Sequence, residues 1–166
     1  MYQTILVPLD GSKEAEAILP RVENLARQYN AKVIFLKVVE SQPLYVPPKP
    51  GQTEVDSLDE RPRLKNVRRY LEVKQGFFRT KGLKAEIRVE EGPIVATIIN
   101  VADREQADLI IMTSHNRTGW SRLFQRSVAA DVSDQADRPV MLIQSNDNEP
   151  APMSVNSSVR ARRASE

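Results

Sequence analysis

Short apolar runs rich in β-branched residues recur along this chain, and between them apolar residues fall at helical spacing. The first run, Thr4 to Leu9 (TILVPL), is nearly continuous, as a parallel strand buried on both faces must be. Pro8 lies inside it and marks the strand's end or an unpaired position. Asp10-Gly11-Ser12 reads as a turn, and Ala15, Ile18, Leu19, Val22, Leu25 and Ala26 then follow helical spacing. Ser12 is the candidate N-cap of that helix and Asn30 its stop. Lys32 to Val39 (KVIFLKVV) is a second strand, so the first forty residues make one right-handed βαβ unit.

The pattern continues after an interruption. Residues 41–59 hold Pro43, Pro47, Pro48, Pro50 and Gly51 among scattered acids, a loop of polyproline character. Such a loop is either a mobile flap over a site or an inert insertion. Pro62 to Lys81 reads as a helix with Leu64, Val67, Leu71 and Phe78 toward the core. Its other faces carry Arg61, Arg63, Lys65, Arg68, Arg69, Lys74 and Arg79, with Glu72 nearly the only local counter-charge. That stripe is a solvated face or, less simply, a surface for an acidic partner. Lys84 to Val89 alternates polar and apolar, as a strand more exposed on one face does. Gly92-Pro93 opens a helix whose buried side is Ile94, Val95, Ile98, Ile99, Val101 and Ala102. A fourth strand covers Leu109 to Met112, a helix runs from Ser127 to about Asp137, and a last strand spans Pro139 to Gln144. Residues 145–166 lack apolar period and predict a disordered tail. Five strands alternating with four helices define an α/β domain over residues 1–144. The sheet is doubly wound and mainly parallel, with helices on both faces.

Composition narrows the function. The chain has 166 residues, a formal net charge of +2 and basic residues spread along its length, which gives no footprint for nucleic acid. The absence of Cys removes disulfides, thiol nucleophiles and cysteine metal sites, and agrees with a cytosolic protein. MYQTILVPLDGS has no basic n-region and reads as no signal peptide, and no apolar run is long enough to span a bilayer. The single histidine, His115, supports neither a metal site nor a Ser/His/Asp arrangement, and no Gly-rich P-loop with its Lys is present. Nothing here predicts an enzyme.

A sheet of this kind takes ligands at the carboxyl ends of its strands, near the point where strand order reverses. Those ends are Pro8-Leu9-Asp10, Val38-Val39-Glu40, Glu90-Glu91-Gly92 and Met112 to Asn116. Asp10 can hydrogen-bond a ligand, help hold Mg²⁺, or cap the turn into the next helix. After the fourth strand the chain breaks into Thr113-Ser114-His115-Asn116 and reaches Ser127-Val128, a candidate helix N-terminus with Ser127 as N-cap. Strand, polar loop and helix N-terminus together present backbone N–H groups to an anion; an ordinary connection has the same outline.

ILVPLDGS, DLIIMTSHNR, GWSRLFQRSVAADV and RPVMLIQ, in this order from Tyr2 to Gln144, resemble the universal stress protein family. The resemblance implies an adenine nucleotide alpha hydrolase-like sheet of five strands, homodimers through the last strand (here Pro139 to Gln144), and cytoplasmic action under stress. Some members bind ATP through a Gly-x2-Gly-x9-Gly-Ser/Thr loop with an Asp after the first strand. On this chain the glycine positions fall at Thr113, Asn116 and Arg126, and the hydroxyl position at Ser127. The spacing survives while the three glycines are gone. Asn116 is a mild change because Asn tolerates a left-handed backbone. Thr113 narrows the space for a ligand, and Arg126 either blocks the phosphates or pairs with them. Pro8, Leu9, Asp10, Val38, Met112, Ser114, His115, Ser127 and Val128 complete the implied nucleotide site.

Two functions compete. The first is a stress-response regulator that binds ATP or a related adenine nucleotide, with Mg²⁺ at Asp10. The second is a dimeric member without nucleotide, acting through protein partners, with Arg126 filling the phosphate site. A phosphoacceptor receiver domain fits poorly: Asp10 lacks an acidic neighbour, the third strand ends in Glu90-Glu91 and the fifth in Gln144. Arg162-Arg163-Ala164-Ser165 has the shape of a basophilic kinase site or simply of a solubilising terminus.

Overall fold

A computed structural model describes residues 1–40, 61–114 and 128–144, with the backbone alone for 61–63. The strands are β1 (Thr4–Pro8), β2 (Lys32–Val39), β3 (Ala85–Glu91), β4 (Leu109–Ser114) and β5 (Val140–Gln144). The helices are α1 (Lys13–Glu16), α2 (Leu19–Tyr29), α3 (Arg61–Thr80), α4 (Ile94–Arg104) and α5 (Val128–Gln135). The sheet runs β3-β2-β1-β4-β5 with every pair parallel. The chain thus winds outward from β1 to β3, then crosses to β4 and winds the other way. Order reverses between β1 and β4.

Strand alternation divides the core in two. Ile5, Val7 and Leu9, Val33 and Phe35, and Leu109 and Ile111 face α1, α2 and α3. Leu6, Ile34 and Leu36, and Ile110 and Met112 face α4 and α5. Full burial of both sets accounts for the unbroken apolar runs, since each strand of this region has helices above and below. Phe78 packs edge-on against Phe35, ring centroids 4.9 Å apart, and pins the last turn of α3 to β2. The alternating strand predicted from Lys84 is β3, an edge strand that stays partly exposed along its length.

Several boundaries differ from the sequence expectation. The helix predicted from Ser12 to Asn30 is two pieces, α1 and α2, separated at Ala17-Ile18. Pro20 is the reason: it has no N–H for the carbonyl of residue 16, so it serves as the second residue of a new helix. Ser12 does cap α1, accepting from the Ala15 N–H, and Asn30 ends α2 in the left-handed region at φ 50°. Pro93 is the N-cap of α4 rather than its first turn. On that helix Ile98, Val101 and Ala102 are buried, Ile94 and Val95 pack at the margin, and Ile99 remains partly exposed. Thr113 and Ser114 extend β4 opposite Ile143 and Gln144 instead of opening a loop. Helix α5 stops at Gln135, and β5 begins at Val140. The Pro-rich segment 41–59 and the tail 145–166 lie outside the described residues.

The basic stripe of α3 is better neutralised than its own sequence suggests. Lys74 pairs with Glu16 of α1 at 2.6 Å, and Lys81 pairs with Glu23 of α2. Two polar clamps hold the sheet's other end. Asp108 Oδ2 accepts from the Gln3 N–H at 2.6 Å and the Thr4 N–H at 2.8 Å, tying β1 to β4. Arg138 Nη1 donates to the Ala102 and Ala107 carbonyls at 2.8 and 2.9 Å, and its other amine meets Asp103. That fork adds a second donor to the Ala102 carbonyl, which also accepts from the Ala107 N–H, and ties the end of α4 to the turn before β4.

Candidate functional site at the carboxyl edge

The sheet parts where its order reverses. Pairing between β1 and β2 continues to Pro8↔Leu36, and pairing between β4 and β5 to Ser114↔Gln144. Between β1 and β4 it ends at Leu6↔Ile110. Beyond that point Val7 and Pro8 have no ladder partner on β4, and this switch point is where a sheet of this kind has its crevice. Pro8 suits this place because it has no N–H to offer a neighbour. Open parallel sheets take ligands in such a crevice.

Asp10 stands at the mouth, exposed, directly after the buried Leu9. The Leu9 N–H donates to the Leu36 carbonyl at 2.8 Å, which prolongs the β1–β2 alignment by one residue. Gly11, at φ 91°, then turns the chain into α1 in a conformation that strains other residues. Asp10 Oδ1 accepts from the Ser12 N–H at 2.8 Å and from Ser12 Oγ at 2.6 Å. The capping role foreseen for Asp10 is therefore present. It fixes the carboxylate at the edge without burying it.

On the other side of the crevice, Met112 and Thr113 are buried on opposite faces of β4, and Ser114 is partly buried. Thr113 thus packs into the sheet layer. Val38 sits at the end of β2 against the α4 side of the core. Val128 begins α5 and is exposed, while Ala129 and Val132 anchor that helix to the sheet. The structure thus gathers Pro8, Leu9, Asp10, Val38, Met112, Thr113, Ser114 and Val128 at one edge. His115, Asn116, Arg126 and Ser127 lie outside the described residues.

Sequence reasoning missed the supports behind Asp10. The Lys37 ammonium donates to the Asp10 backbone carbonyl. The signal was a lysine late in an otherwise apolar strand, on the side that faces the helices of the first crossover. The Tyr70 hydroxyl is buried near Glu16 without hydrogen-bond geometry to any described group. Burial, and after it the Glu16 and Asp10 carboxylates, push that hydroxyl's pKa well above the usual tyrosine range. The Lys74 ammonium lies 5.2 Å from the Tyr70 ring centroid while it pairs with Glu16.

The described residues hold no cluster of three or more His, Cys, Asp or Glu able to bind a metal by itself. Mg²⁺ bound together with phosphates needs only one or two protein carboxylates, and Asp10 alone fits that requirement. Among the described residues, no helix is long and apolar enough to cross a membrane.

Strand order and parallel pairing define a doubly wound α/β protein. The chain belongs to the universal stress protein family, whose model matches residues 1–144. Universal stress protein Sll1654 of Synechocystis is 33% identical over 144 residues, covering 86% of each chain. A crystal structure of a universal stress protein in complex with cAMP superposes with a TM-score of 0.66 at 20% identity. That alignment covers 87% of this chain and 98% of the other. The universal stress protein from Archaeoglobus fulgidus in complex with dAMP superposes with a TM-score of 0.58 at 22% identity. It covers 85% of this chain and 97% of its own.

Proposed function

We propose that this universal stress protein is a cytoplasmic stress-response regulator that binds an adenine nucleotide in the crevice between β1 and β4. The observation that carries the reading is the end of β1–β4 pairing at Leu6↔Ile110, with Asp10 held at the mouth and α5 beginning opposite. The two relatives in complex with adenine nucleotides support the ligand class. In this reading Asp10 orients the ligand and, with the phosphates, Mg²⁺. Val38 and Met112 supply apolar contact for the base, and α5, which begins at Val128, offers its N-terminus to the phosphates. Arg126 replaces the last motif glycine and pairs with a phosphate. No catalytic residue is assigned.

The same reading includes a homodimer through β5. The two sheet edges differ in kind: β3 carries Glu86, Arg88 and Glu90, whereas β5 reads Val140-Met141-Leu142-Ile143 with Leu142 exposed. Charges discourage pairing at an edge, and apolar residues invite it.

Calorimetric titration of ATP with Mg²⁺ into the protein and into Arg126→Gly tests the nucleotide reading. Binding by the natural chain that is lost in Asp10→Ala supports it. Binding only after Arg126→Gly overturns it in favour of a member that works through protein contacts alone.

A further inference from the structure

Helix α3 carries a second feature, remote from the crevice. Arg69, Val73, Phe77 and Lys81 follow one another at intervals of four residues, so they line one outward stripe. Val73 is 62% exposed and Phe77 50%, the two most exposed large apolar side chains of the described residues after Met1. The opposite flank of the same helix buries Leu71 and Phe78, so the core does not need this pair. Lys81, just past the end of α3, lies 4.1 Å above the Phe77 ring centroid while it also pairs with Glu23, and Arg69 is exposed and without an ion pair among the described residues. The stripe therefore reads cation, apolar, apolar, cation.

Charge says what fits it. Helix α3 holds seven basic residues; Lys74 is paired with Glu16 and Arg68 with Glu72, and the others leave the helix positive while the whole chain is only +2. This positive helix is also the one that leaves two large apolar side chains in solvent. A bilayer surface needs a broad apolar face, and here the neighbouring outward positions are Asn66, Glu72, Gly76 and Thr80. Two apolar anchors between two cations suit the ridge of a single helix of opposite sign.

We propose that the Arg69–Val73–Phe77–Lys81 stripe of α3 is a docking face for an acidic amphipathic helix of a partner protein. That helix presents two apolar residues at four-residue spacing, bracketed by carboxylates. Phe77 and Val73 are the anchors, and Arg69 and Lys81 set orientation and exclude basic partners. The site is independent of nucleotide binding.

The test uses the full chain and a fluorescein-labelled, alanine-based helical peptide with Glu, Leu, Leu and Glu at four-residue spacing. Anisotropy at low salt reads the affinity. The proposal expects binding that weakens as salt rises, and about tenfold weaker binding for Phe77→Ala and for Arg69→Glu. A peptide with Lys in place of Glu, and one of equal composition with the spacing scrambled, should each bind about tenfold less. Val73→Ser serves as a second anchor variant, and thermal unfolding confirms that each variant is folded. Absence of binding, equal binding of the lysine or scrambled peptide, or indifference to Phe77→Ala overturns the proposal. Phe77-dependent co-sedimentation with phosphatidylserine vesicles, without peptide binding, overturns it in favour of a membrane surface.

Discussion

Lys37 of β2 reaches across the carboxyl edge and donates to the backbone carbonyl of Asp10. Asp10 is thereby held from two sides, its carboxylate by Ser12 and its carbonyl by Lys37. The turn after β1 is preorganised, so a ligand meeting Asp10 need not order it first.

Removing either support should loosen the turn. Ser12→Ala deletes the N-cap of α1 and one partner of Asp10, and should cost about 1 kcal/mol in urea unfolding. Lys37→Met should cost a similar amount and also lower nucleotide affinity, because the Asp10 backbone then loses its tether to β2 while only Ser12 still holds the carboxylate. Unchanged affinity in Lys37→Met would show that the turn's order does not matter for binding.

Arg138 is the clamp at the opposite end. Its fork reaches the Ala102 and Ala107 carbonyls and Asp103 together, which a lysine's single ammonium cannot match. Arg138→Met should destabilise by about 2 kcal/mol, since it removes one of two donors to the Ala102 carbonyl and the guanidinium bonds to the Ala107 carbonyl and Asp103. Arg138→Lys should recover less than half of that loss. Chemical denaturation of the three proteins decides the matter.

Acid should weaken both the β3–α4 contact and the contact of α2 with the end of α3. The Arg88 guanidinium bonds Glu105 at 2.7 Å and holds its carboxyl below the usual carboxylate range against the opposing effect of burial. Hydrogen bonding to Lys81, ahead of that to Arg27, lowers Glu23 in the same way. A carboxylate depressed in the folded state stabilises above its unfolded pKa of about 4.3 and loses that contribution as pH falls through the lower folded value. Unfolding midpoints measured from pH 6 down to pH 3 should therefore fall below about pH 4.3, and Glu105→Gln should flatten the slope. A profile unchanged in Glu105→Gln would remove the pair from the account.

Much of this molecule is legible from its residues, and what is not has local causes. Strand alternation and buried runs led to the five-stranded sheet because period and burial act on every residue alike. Pro20 shows the limit: apolar spacing runs straight through it, yet one missing N–H divides the helix. Thr113 and Ser114 look like loop residues by polarity, but pairing with β5 keeps them in the strand. Lys74–Glu16, Lys81–Glu23 and Lys37–Asp10 join positions far apart in the chain. No window of sequence exposes such pairs. At the site, the strand ends and Asp10 were legible from topology, while the early end of β1–β4 pairing depends on register.

The dimer has a direct test at Leu142. Sedimentation of the natural chain should give a dimer, and Leu142→Asp should shift it toward monomer at micromolar concentration, since the charge lies on the pairing edge. The same species before and after the substitution would exclude β5 as the interface.

Photolabelling with 8-azido-ATP, followed by peptide mapping, tests the central claim because it reports binding and position together. The account predicts label that ATP competes away and that Asp10→Ala diminishes, located in peptides containing Val7 to Ser12 or Met112 to Val128. Label that ATP does not displace, or that falls on α3 or β3 instead, would contradict a nucleotide site between β1 and β4.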